Sequence, residues 1–91
     1  MDLGKAIKEL RKLQNINQEE LSNASGITQS NISAIEGGQR PGENTLVRIS
    51  DALNVSVATL YLFALEQSDF KSDSYDSIFP IVKQLLLFLN K

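Results

Sequence analysis

Residues Ile16–Pro41, "INQEELSNASGITQSNISAIEGGQRP", decide how this chain is read. Asn17 can cap a helix, and Glu20, three residues on, completes a capping-box pair. The spacing predicts a short helix over about 18–25, burying Leu21 and Ala24, that stops at Gly26, a residue free to take the left-handed conformation of a sharp exit. Thr28 is the next cap, opening a helix that runs to Glu36. Ile27, Ile32 and Ile35 are available for its inner face. Its other face would hold Thr28, Gln29, Ser30, Asn31 and Ser33, a neutral set of hydroxyls and amides. Such residues are poor helix formers, and a purely solvated face more often carries Glu and Lys. "GGQRPGEN" must then be a loop.

Outward from this pair the periodicity stays helical. A first helix is expected over 3–14, with Leu3, Ile7, Leu10 and Leu13 on one stripe, and "NIN" breaks it. A fourth, over 44–53, turns Leu46, Ile49, Ala52 and Leu53 inward and ends at Asn54. Ser56 caps a fifth over 57–64, whose core candidates are Val57, Leu60 and either Leu62 or Phe63. No stretch alternates as a strand would, so the expected fold is all-α. "EQSDFKSDSYDS" is rich in Ser and Asp and reads as a linker. Ser77 then caps a last helix, in which Pro80 is tolerable because it falls in the first turn. The expected division is a domain at 1–66, a linker at 67–77 and a terminal helix at 78–91.

Composition narrows the function. The chain has 91 residues, 42% hydrophobic and 22% charged, which suits one folded domain with an appended element. It contains neither cysteine nor histidine. Disulfides, thiolate chemistry, the usual zinc sites and His-based acid–base or triad catalysis are thereby excluded. With no Gly-rich phosphate loop and no clustered carboxylates, an enzyme has no candidate site, and no metal or organic cofactor is implied. The start is amphipathic rather than a signal peptide, and "PIVKQLLLFLNK" is too short to span a bilayer. A soluble cytoplasmic protein without membrane contact is expected. Net charge is −2, which argues against an indiscriminate polyanion binder. Lys5, Lys8, Arg11 and Lys12 nevertheless gather near the start, whereas Glu66, Asp69, Asp73 and Asp76 lie together at 66–76.

The two central helices have the proportions of a helix-turn-helix. Together with "TLVRISDALNVSVATLY" they resemble the Cro/lambda-repressor-like, or XRE, family, over roughly Lys5 to Leu65. Gln18, a small residue at Ala24, Gly26, Ile32 and Glu36 carry the likeness. The resemblance implies a five-helix DNA-binding domain, prokaryotic or phage-borne and associated with the nucleoid. In such domains the third helix enters the major groove with its N-terminal residues at base edges. It assigns base reading to Gln29, Ser30, Asn31 and Ala34. Gln29 can pair bidentately with adenine, and Ala34 can lie on a thymine methyl. It assigns phosphate contacts to Asn17, Gln18, Thr28, Gln39 and Arg40, and has Gln18 brace Gln29. Arg11 and Glu36 match a buried ion pair of relatives. The loop after Glu36 offers a single Arg where relatives often have several cations, so one subunit alone would bind backbone modestly.

The terminal segment is the second informative feature. Ile78, Phe79, Ile81, Val82 and Leu85–Leu89 make it apolar almost all round, too much for so small a domain to hide. It could fold back and fill a gap in its own domain. The preferred expectation is a homodimer through Phe79, Val82, Leu85, Leu86 and Leu89, joining two weak half-site contacts into one bivalent contact. The function expected is a sequence-specific transcriptional regulator, a repressor on a near-palindromic operator in double-stranded DNA. A competing expectation is a protein-interaction module of the same fold, such as an antitoxin or an anti-repressor partner.

Overall fold

The computed structural model describes residues 1–65. They form five helices: α1 (Leu3–Leu13), α2 (Gln18–Ser25), α3 (Gln29–Glu36), α4 (Glu43–Ala52) and α5 (Val57–Ala64). There is no strand among the described residues, and the domain is all-α. The expected linker at 67–77 and terminal helix at 78–91 lie outside the described residues.

α1 packs on α5 and α3, α2 on α3 and α4, and α4 on α5. Every helix sends side chains into one core, which includes Ile7, Leu21, Ile32, Ile49 and Leu60, all at most 1% exposed. Each such side chain contributes about 1.5–3 kcal/mol of burial. Helices this short do not persist alone, so this shared core is what holds them. None of the described helices is long and apolar enough to cross a membrane by itself.

Short polar side chains set where the helices start. Asp2 accepts from Lys5 N at 3.0 Å, Thr28 from Asn31 N at 3.2 Å and Ser56 from Thr59 N at 3.1 Å. Asn17 and Glu20 make the reciprocal capping box. α4 begins at Glu43, one residue before the expected start at Asn44, and its cap position, Gly42, supplies no side-chain bond. Three helices end alike. Asn15, Gly38 and Asn54 take positive φ, and the next residue's N–H reaches back to Arg11, Ala34 and Ser50 O respectively. These 6→1 bonds satisfy carbonyls that a helix end otherwise leaves free.

Several inward assignments are corrected. Leu13, at the last position of α1, is 69% exposed, because the chain turns away at Asn15 before another helix can cover it. Ala24 is exposed and Ser25 is buried in its place, since the Ser25 hydroxyl accepts from Ile27 N within the turn at 3.2 Å. Neither Leu62 nor Phe63 is in the core; they are 51% and 42% exposed. Ala58, Leu60 and Ala64 form the buried side of α5 instead, with Leu60 filling the core between two small residues.

Candidate nucleic-acid interface

The turn between α2 and α3 is three residues long, Gly26 to Thr28. Gly26 has φ +74°, the left-handed region where a side chain would be strained. Its N–H bonds Ser22 O at 2.9 Å. Ser22 Oγ donates to Ile27 O, while Ser25 Oγ accepts from Ile27 N. Two serines therefore satisfy both backbone groups of Ile27 as that residue is buried, which fixes the direction in which α3 leaves.

α3 then divides sharply. Ile32 and Ile35 are 0% and 2% exposed. Gln29, Ser30, Ser33 and Ala34 are exposed, and Asn31 is half-buried. Thr28 is exposed as well; its hydroxyl oxygen caps the helix while its proton stays free to donate. Behind α3, Gly4 of α1 is buried, and a Cβ there would fall on the Ile35 carbonyl oxygen. The two backbones touch only because residue 4 is glycine. A glycine inside an otherwise amphipathic helix is the sequence signal for such a close approach.

The far end of α3 is held by charge. Arg11 Nε and Nη2 donate to the two carboxylate oxygens of Glu36 at 2.8 and 3.0 Å, and Nη1 reaches Ile16 O at 2.8 Å. The two side chains are 10% and 4% exposed. Burial alone would push the Glu36 carboxyl up. Hydrogen bonds from Arg11 and Gln18, with the positive charges of Arg11 and Lys8, outweigh it and hold the group below its ordinary value. Hydrogen bonding to Glu36 raises Arg11 in turn.

Gln18 departs from the arrangement the family resemblance implied. Its amide nitrogen donates to Glu36 Oε1 at 3.1 Å, and among the described residues no hydrogen bond joins it to Gln29. A buried carboxylate can only accept, and Gln18 supplies one of the hydrogens that Glu36 takes. The first N–H groups of α2 still lack partners within that helix and remain available to an anion. Asn17 is exposed, but its side-chain oxygen already accepts from Glu20 N at 2.7 Å, leaving its NH2 group for an external acceptor. Beyond α3, Gln39 and Arg40 are exposed on the loop leading to the uncapped start of α4. Base-edge candidates and backbone-donor candidates thus occupy neighbouring segments, α3 and the ends that flank it.

A family model of helix-turn-helix proteins matches residues 7–60. The chain belongs to the helix-turn-helix family. It is of the Cro/lambda-repressor-like, XRE type, a class of DNA-binding domain. It is similar to a competence pilus inhibition repressor of Acinetobacter baylyi, 35% identical over 65 residues. That alignment covers 70% of this chain and 59% of the relative, so the chain spans somewhat more than half of that protein's length. No solved structure matches.

Proposed function

We propose that this helix-turn-helix protein is a sequence-specific repressor that binds a near-palindromic operator as a homodimer. The observation that carries the reading is the first turn of α3, where Gln29 and Ser30 are exposed on a helix whose opposite face, Ile32 and Ile35, is sealed in the core. A rigid helix that presents donors and acceptors without charge can tell one base edge from another, and does not repel phosphate. In this reading Gln29, Ser30, Asn31 and Ala34 read bases. Asn17, Gln18, Thr28, Gln39 and Arg40 hold backbone, with Gln18 contributing mainly the N–H groups at the start of α2. The name of the Acinetobacter baylyi relative supports repression as the sign of the effect.

Dimerisation through Phe79, Val82, Leu85, Leu86 and Leu89 supplies the affinity that a chain of net charge −2 lacks as a monomer. Two linked half-sites gain avidity over either alone. The reading helices of such a dimer stand about one DNA turn apart, roughly 34–36 Å. Selection of duplexes from a random pool by the full chain, with its mass measured in solution, tests the reading. The expected result is an enriched inverted repeat bound by a two-chain species. No enriched sequence, together with capture of a partner protein through residues 78–89, would replace it with the interaction-module reading. On the selected duplex, Arg40→Ala is expected to weaken all sequences alike and to lower the salt slope by about 1.

A further inference from the structure

The last turn of α5 carries apolar surface that nothing else among the described residues covers. Leu62 is 51% and Phe63 42% exposed. The bond from Asp2 N to Ala64 O at 3.0 Å fixes this end of α5 against the start of α1. The described chain ends here, at Leu65, and residues 66–91 follow. Residues 66–77 are mostly polar, and 78–91 read "IFPIVKQLLLFLNK".

At helical spacing this last stretch contains two apolar stripes rather than one. Phe79, Val82, Leu86 and Leu89 form the first, and Ile78, Ile81, Leu85 and Phe88, one residue earlier, form the second. Lys83, Gln84, Leu87 and Asn90 fall on the remaining side, where Leu87 is the one apolar side chain among three polar ones. A two-stranded contact between copies covers one stripe and leaves its neighbour in water.

We infer that the second stripe, Ile78/Ile81/Leu85/Phe88, seats on Leu62 and Phe63 of its own chain while the first pairs with the second copy. The inference rests on the proposed dimer and adds how its two halves are joined. Twelve residues separate Leu65 from Ile78, a reach of about 40 Å when extended, so the segment can return to a patch only a few residues before its own tether. Tethering gives the contact an effective concentration of order millimolar, which another molecule in dilute solution does not match. The seat also has a mechanical consequence. Avidity on two half-sites requires a geometry that lets both engage, and docking on α5 turns a tethered pair of domains into one body with a set spacing.

The absence of cysteine from the natural chain makes the seat directly testable. Phe63→Cys is combined in turn with Ile78→Cys, Ile81→Cys, Leu85→Cys or Phe88→Cys, and with Lys83→Cys, Gln84→Cys or Asn90→Cys for comparison. Each full-length variant is oxidised mildly and resolved without reductant. Phe63 lies outside the core, so the domain tolerates its replacement; circular dichroism checks this, and Leu62→Cys provides a second anchor. The expected result is a disulfide within one chain that forms about tenfold faster at the stripe positions than at the comparison positions. Equal rates at all positions, or a disulfide only between two chains, would overturn the seat. Leu86→Cys alone tests the dimer separately. If it formed no chain-to-chain disulfide, the homodimer would fail on its own account, whatever the Phe63 series gave.

Discussion

α3 and α5 are built alike and finished differently. Each has eight residues, and each starts from a hydroxyl that accepts from the backbone N–H three residues on, Thr28 in one case and Ser56 in the other. Both bury one side in the same core. Their outer sides diverge: α3 turns out Gln29, Ser30, Ser33 and Ala34, whereas α5 turns out Leu62 and Phe63. Inner faces and caps decide that a helix forms and where it lies. Outer faces, which add little to folding, decide what the helix meets. Amides and hydroxyls suit base edges, and bulky apolar groups suit protein.

The sharpest way to break this contrast is to cut across one helix. Ile32→Ala, on the inner side of α3, is expected to cost about 3–4 kcal/mol in urea unfolding, by lost transfer energy and a residual cavity. A loss below about 1 kcal/mol would mean that the face is not sealed. Glu36→Ala comes next, at about 3 kcal/mol, because it strands the Arg11 guanidinium without its carboxylate partner.

The same pair gives a pH signature. The Glu36 carboxyl is depressed in the folded chain, so its contribution is complete above the unfolded carboxylate value, about 4.3. It is lost as pH falls through the lower folded value. Thermal unfolding of Glu36→Gln is expected to be flatter than wild type across that acid window; parallel profiles would remove the pair from the account. Smallest in stability is the outer side of α5. Leu62→Ser is expected to change the unfolding free energy of the 1–65 portion by no more than about 0.5 kcal/mol, and a loss of several kcal/mol would place that side chain in the core after all.

Much of this was legible in the sequence where the cause is local. Asn17 with Glu20, Gly26, Thr28, Asn54 and Ser56 act through groups within a few residues of themselves, and pattern alone placed them. What escaped depends on what the fold brings alongside. Gly4 matters because α3 crosses over it, which no single-helix pattern contains. Ser25 displaces Ala24 from the interior because the turn has backbone groups to satisfy, and a count of apolar side chains does not register that need. Gln18 turns to Glu36, eighteen positions away, once folding has buried a carboxylate beside it. Hydrophobicity alone points Leu62 or Phe63 inward, yet Ala58, Leu60 and Ala64 occupy the buried side of α5 and both larger candidates fall outside it.

The central claim is that the outer side of α3 reads bases. Its most direct test is the ratio of affinities for the selected duplex and for unrelated duplex, at one salt concentration, in wild type and in Gln29→Ala. The account predicts that the ratio falls by the equivalent of about 1–3 kcal/mol, with fold stability and affinity for unrelated duplex little changed. An unchanged ratio would contradict it.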